Sequence, residues 1–179
     1  MIKQDISENQ VKSIYLGIGS NLGNRIINIE KAKSYLLENG VKFISVSKYY
    51  ETPSWPDPKK PKFFNIILKV TCNYKPLELL KLCKIIENKL GRTKSPKNSP
   101  RVCDIDLIDF NGLVLNKEIK LPHIRMHKRN FVLFPLFEIE KEWFHPIKKT
   151  NIRRLILSLS NKDIRSIKQI WINVIITDA

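Results

Sequence analysis

Asp104 and Asp106 stand two positions apart in the stretch SPRVCDIDLIDF, residues 99–110. Its Val, Ile, Leu and Phe residues read as a β-strand. Side chains alternate faces along a strand, so both carboxylates point the same way, about 7 Å apart. At an effective dielectric near 20 such a pair repels by roughly 2 kcal/mol. A cation removes that cost. Mg2+ is typically held by one or two carboxylates and shares its remaining positions with substrate phosphates, and two ions about 4 Å apart can bridge several phosphate oxygens. A solvated strand face, where water weakens the repulsion, accommodates the same two residues. The pair alone leaves both readings open. Asp109 has the opposite parity and suits a cap at the strand end.

Basic side chains flank the acids. Arg92, Lys94, Lys97 and Arg101 precede them, and His123, Arg125, His127, Lys128 and Arg129 follow. Guanidinium forks grip phosphate bidentately and stabilise charge that develops during phosphoryl transfer. Trp55, Phe63 and Phe64 with Asn65, and Phe131 further on, supply rings to stack on a flat heterocycle and an amide to read its edge. Phe63 and Phe64 face opposite ways on a strand, so one of them belongs to the core. His123, His127 and His145 lack metal-ligand spacing. GIGSNLGNR, residues 17–25, has no Lys-Ser/Thr to complete a phosphate-binding loop, and Leu22 stands where a dinucleotide fingerprint needs glycine. It reads as a tight strand-to-helix turn.

The elements that must position these groups are legible from periodicity and punctuation. Residues 13–18 form a first strand. A helix follows over 25–38, with Ile26, Ile29, Ala32, Tyr35 and Leu36 at helical spacing, Asn24 as N-cap and Gly40 as its stop. Residues 41–51 read as a strand, 52–62 as a stiff loop with four prolines, and 63–72 as another strand. Pro76 opens a second helix that Gly91 closes. A basic loop over 92–101 leads to the strand 102–110, which ends at the turn signal Asn111-Gly112. Beyond it lie the apolar run NFVLFPLF, a short helix over 152–160 and an edge strand at WINVII, 171–176. The first two-thirds is therefore β-α-β-β-α-β, an α+β ferredoxin-like core whose antiparallel sheet is covered by helices and carries long loops.

The chain has 179 residues, 42% of them hydrophobic, which suits a single domain over residues 1–179. No apolar run has the length of a membrane span, and the N-terminus lacks the apolar stretch of a signal peptide. Three scattered cysteines, Cys72, Cys83 and Cys103, read as core thiols of a reducing compartment, so the expected location is the cytoplasm. Lys and Arg number 32 against 17 Asp and Glu, leaving a formal charge of +15. That charge suits nucleotide phosphates, and equally RNA on an aromatic-bearing sheet. Against RNA, KFFNIILK lacks the glycine-rich aromatic signature of such domains, and sheet carboxylates repel phosphate unless a metal intervenes.

The blocks YLGIGSNLGNR, YYETPSWPDPKKPKFFN, ENKLGRTKSPKNSPRVCDIDLI and LPHIRMHKRNFVLFPLFEI cover about residues 14–146. In this order they resemble the 6-hydroxymethyl-7,8-dihydropterin pyrophosphokinases of folate biosynthesis. The resemblance implies a ferredoxin-like fold and transfer of ATP's pyrophosphoryl group to the pterin hydroxymethyl oxygen, with release of AMP. It implies two Mg2+ ions on Asp104 and Asp106. Arg92 and Arg101 match the catalytic arginines on the phosphates. Lys94 occupies a second basic position, Glu87 a place near the ATP ribose, and His123 and Arg129 phosphate contacts. Phe63 and Phe131 match the two stacking aromatics, and Asn65 the amide at the ring edge. Thr52 and Trp55 lie beside it, Thr52 acting through its backbone, and Asp104 also adjoins the pterin. Asn98 stands where relatives commonly carry a large aromatic, Ile124 where they often have Tyr, and Phe63 lacks a hydroxyl. Expected partners are the two small substrates, without membrane or nucleic acid, in a monomer. Residues 1–12 and 163–179 match no motif.

Overall fold

The structure is a computed structural model that describes residues 13–55, 57–92, 96 and 98–171. The chain begins with β1 (Ile14–Ser20) and α1 (Arg25–Glu38), then β2 (Lys42–Val46), β3 (Tyr49–Thr52), β4 (Phe63–Thr71), α2 (Pro76–Lys89) and β5 (Asp104–Phe110). Asn24 caps α1 by accepting the Ile27 N–H at 3.1 Å, and Ile29, Ala32 and Leu36 form its buried stripe. Pro76 sits at the start of α2, where its missing N–H costs nothing. The Glu78 carboxylate accepts the Lys75 N–H at 2.8 Å. Leu79, Leu82, Cys83 and Ile86 then bury against the sheet, each large side chain contributing about 1.5–3 kcal/mol.

β1 is central. It pairs antiparallel with β4 on one side and β5 on the other. β2 and β3 both lie antiparallel along the outer edge of β4. The order β2/β3–β4–β1–β5 is that of a ferredoxin-like sheet. The strand expected over 41–51 is thus two strands. At the break, Ser47 exchanges bonds with Ile67 through its backbone N–H, 2.9 Å from the Ile67 carbonyl, and its Oγ, which accepts the Ile67 N–H at 2.9 Å. The next N–H, of Lys48, leaves the ladder for the Glu138 carboxylate.

After β5 come β6 (Leu115–Asn116), β7 (Lys120–Leu121), a 3-10 turn (Met126–Lys128), α3 (Asn130–Ile139), β8 (Phe144–His145), β9 (Thr150–Asn151), α4 (Ile152–Leu157), α5 (Asn161–Ser166) and β10 (Lys168–Ile170). Asn111 and Gly112 both have positive φ, 54° and 67°, the backbone a tight turn needs. Asp109 caps that turn by accepting the Gly112 N–H, and Trp143 Nε1 donates to its other oxygen. β6 pairs with β7, not with β5. The run NFVLFPLF is helical, and α3 and α4 press Val132, Leu133, Leu136, Ile152 and Leu155 onto Tyr15, Ile67 and Ile108. Helices α1 and α2 cover the opposite face. Both faces are therefore closed, which is why β4 is apolar and buried continuously from Phe64 to Leu68 apart from Asn65. The edge strand falls at Lys168–Ile170, on β3; residues 172–176 lie outside the described residues. No described helix is long and apolar enough to cross a membrane.

Candidate active site

Ile105 and Leu107 of β5 enter the core under α1 and α2, while Ile108 enters the core under α3. By alternation Asp104 and Asp106 share the α3 face, beside the α3 N-terminus. Phe63 and Asn65 share that face on β4, and Phe64 takes the core side. Between the two strands runs β1. Gly17 lies between Ile67 and Asp106, and Gly19 between Asn65 and Asp104. A Cβ on Gly19 would stand 2.9 Å from Asn65 Oδ1 and 3.4 Å from the Phe63 ring. The two glycines thus form a floor between the candidate ring-binding residues and the acids. GIGSNLG carries this signal as alternating glycines on a central strand.

Three arginines hold the acid pair. Arg92 Nη1 is 2.7 Å from Asp104 Oδ1, and Arg101 Nη1 is 3.1 Å from Oδ2. Arg129 Nη1 is 3.1 Å from Asp106 Oδ2, with His123 Nε2 at 3.9 Å. Burial pushes the Asp104 carboxyl up, but Arg101 and Arg92 outweigh it and hold it below the usual carboxylate range. Burial lowers the His123 pKa more than Asp106 raises it, which favours the neutral ring. The Arg101 N–H donates to Asn21 Oδ1 at 2.7 Å, so the end of the basic loop is tied to the turn after β1. Asn98 has a φ of 63°, and its carbonyl accepts from Lys60 Nζ. Lys94 and Lys97 lie outside the described residues.

Glu87 occupies a different environment from a cleft-lining ribose contact. Its side chain is fully buried, and its oxygens meet Lys84 Nζ at 2.8 Å, Arg92 Nη1 at 2.5 Å and the Ile105 N–H at 2.6 Å. It therefore fastens Arg92 and the start of strand β5 together. His123, Asp106, Leu80, Lys84 and Ile124 line a cleft of about 270 Å3 on the same side. A larger hollow, about 420 Å3, lies beside Arg25, Glu51 and Lys62. It contains none of the sequence-predicted site residues, and Glu51 occupies both of its cations.

On the other wall, Thr52 Oγ1 accepts from Asn65 Nδ2 at 3.0 Å, both residues being buried. Arg129 approaches the Phe131 ring, 5.3 Å from its centroid, while Trp55 is 67% exposed and projects from its loop. Among the described residues no three His, Cys, Asp or Glu side chains gather to hold a metal. Two half-exposed carboxylates on one strand nevertheless fit a cation that takes its other ligands from phosphate and water, the habit of Mg2+.

Fold and site place the chain in a class: an antiparallel α+β enzyme fold carrying paired acids and arginines beside a glycine-floored recess. The family model described as 7,8-dihydro-6-hydroxymethylpterin-pyrophosphokinase matches residues 15–141. The chain is 37% identical over 142 residues to the 2-amino-4-hydroxy-6-hydroxymethyldihydropteridine pyrophosphokinase of Aquifex aeolicus, covering 79% of this chain and 88% of that one. The Bacillus subtilis protein of the same name is 37% identical over 127 residues, 70% of this chain and 76% of its own. Folic acid synthesis protein FOL1 of Dictyostelium discoideum is 38% identical over 149 residues, 83% of this chain but 22% of that protein. The chain thus spans about a fifth of the length of that relative. It superposes on wild-type Plasmodium falciparum HPPK-DHPS with a TM-score of 0.66 at 17% identity, covering 92% of this chain and 49% of that one, a likeness of fold. The chain belongs to the 7,8-dihydro-6-hydroxymethylpterin-pyrophosphokinase family.

Proposed function

We propose that this chain transfers the pyrophosphoryl group of ATP to the hydroxymethyl oxygen of 6-hydroxymethyl-7,8-dihydropterin, with two Mg2+ ions held by Asp104 and Asp106. The hydroxymethyl oxygen forms a bond to the β-phosphorus, the α–β bridge bond breaks, AMP leaves, and the hydroxyl proton passes to solvent. The metal supplies charge neutralisation along the polyphosphate. The chain's own work is positioning and electrostatics. Arg92 and Arg101, which pair with Asp104 in the free protein, turn their guanidiniums to the phosphates and stabilise charge on the departing AMP. Arg129, neutral His123 and Lys94 hold the polyphosphate, and Glu87 keeps Arg92 at the mouth of β5. Phe63 and Phe131 sandwich the pterin above Gly19. Asn65, braced by Thr52, reads the ring edge, and Trp55 covers it from outside.

The observation that carries this reading is the Asp104/Asp106 pair, enclosed by three arginines, opposite Asn65 across a floor of two glycines. The RNA alternative needs an open sheet face, and both faces here are covered. The deciding assay mixes protein, Mg2+, ATP and the reduced pterin and measures AMP. AMP should form only when all components are present and should vanish with excess chelator. ADP as product, or equal turnover without pterin, rejects the proposal.

A further inference from the structure

Residues 161–170 lie beyond the matched family region, yet they touch both walls of the site. Asn130, the first residue of α3, is buried between Arg129 and Phe131. Its Nδ2 donates to the Asp163 carbonyl at 2.6 Å and to Ser166 Oγ at 3.1 Å, both in α5. Its Oδ1 accepts the Phe131 N–H at 2.7 Å. Both donors of the amide and its oxygen are thus engaged, and the two donors reach α5. From α5 the chain enters β10, which pairs Lys168 with Glu51 and Gln169 with Tyr50. Those residues of β3 run directly into Thr52, the partner of Asn65. α5 therefore spans from the segment bearing Arg129 and Phe131 to the strand that braces Asn65.

We propose that α5 and β10 form a strap that sets the width of the pterin recess, and that Asn130 is the positioning residue through which the strap orients Arg129 and Phe131. This inference rests on the function proposed above. Freed from α5, the start of α3 keeps its helical bonds, since the Val132 and Leu133 N–H groups both donate to the Arg129 carbonyl. What it loses is its tie to the opposite wall. The ring and guanidinium on either side of Asn130 then sample more orientations, and binding must restore the right one.

Asn130→Asp separates the two functions of the amide. It keeps an acceptor for the Phe131 N–H but replaces the donor facing α5 with a second oxygen opposite the Asp163 carbonyl. Asn130→Asp and Asn130→Ala should each raise KM for the pterin about tenfold, the scale of one or two buried hydrogen bonds lost. Ser166→Ala should act in the same direction to a smaller extent, and less than additively with Asn130→Ala. Amide exchange in α5, read at the Ile164 N–H, should speed up in all three variants. A purely structural role would lower the active fraction, and hence kcat, without moving KM. Faster α5 exchange with pterin KM within twofold of wild type overturns the positioning role. An unchanged exchange rate overturns the tie itself. A wild-type protein that makes no AMP rejects the pyrophosphokinase reading, and this inference with it.

Discussion

Gly19→Ala tests the recess at its floor. The added methyl would meet Asn65 Oδ1 at 2.9 Å, closer than real Cβ contacts allow. Gly19 lies on the central strand, flanked by β4 and β5, so the backbone cannot easily yield. The Asn65 amide must rotate away and give up its 3.0 Å bond to Thr52. In the free protein the displaced amide and the Thr52 hydroxyl, both buried, lose that bond, so stability should fall by about 1–3 kcal/mol. In the complex Asn65 has to return against the methyl. The overpacking cost of about 1–3 kcal/mol then falls on binding and corresponds to roughly a 5- to 150-fold loss of pterin affinity. Gly17→Ala is the control, because its Cβ meets only the flexible ends of Ile67 and Ile108 at 3.3 Å. Calorimetric titration with the pterin, alongside thermal melting, reads both variants. Pterin affinity for Gly19→Ala within twofold of wild type, or an equal loss in Gly17→Ala, would refute the place given to Gly19 beneath Asn65 and the ring.

Asp104→Asn and Asp106→Asn should each lower turnover about a hundredfold or more, the scale of disturbed metal sites, with far-UV circular dichroism unchanged; near-normal rates remove the two-carboxylate assignment. Arg92→Ala should act on kcat more than on KM, since its contacts strengthen as AMP departs, and a pure KM effect contradicts that role. Glu87→Leu leaves the buried Ile105 N–H without its acceptor and should cost about 1–3 kcal/mol. Glu87→Gln should recover most of that stability but little of kcat, because Arg92 then keeps Asp104 alone of its two carboxylate partners; full recovery of kcat would show that the Glu87 charge is not needed. His145 is packed against Trp143 and His127, and its Nδ1 accepts two backbone N–H groups. Burial first, then the nearby charges of His127 and Lys148, push its pKa down to about 4. The unfolded chain binds this proton more readily, so the stability contribution is complete above pH 6.5 and is lost as pH falls from there toward 4. A ring titration by NMR that gave a midpoint at or above 6 would contradict this.

The order of elements was legible because the punctuation is strong: Asn24, Pro76, Gly91 and Asn111-Gly112 bound their elements as read. The places misread or left without an element are those where side chains or later elements intervene. Ser47 completes a backbone ladder with its hydroxyl, which no alternation pattern reveals. NFVLFPLF is apolar on all sides, so it carries no period, and only the second sheet face explains its helix. The acids, arginines and aromatics of the site were visible by type and spacing. The enclosure of Glu87 was not, because helical periodicity places it next to Ile86 without showing that Arg92 folds back over it. Asn130 and α5 were invisible for a related reason: nothing local connects residues 130 and 163.

The central place of β1 has a consequence for how the chain reaches its native state. Ile14 ends up opposite Phe110 and Gly19 opposite Asp104, so one long edge of β1 stays unpaired until nearly a hundred further residues have emerged from the ribosome. Loop closure over that separation is slow compared with forming helices, and the exposed edge is open to wrong partners while it waits. Synthesis halted before residue 104 would leave a nascent chain with a sticky border and no acidic wall, a natural substrate for chaperones.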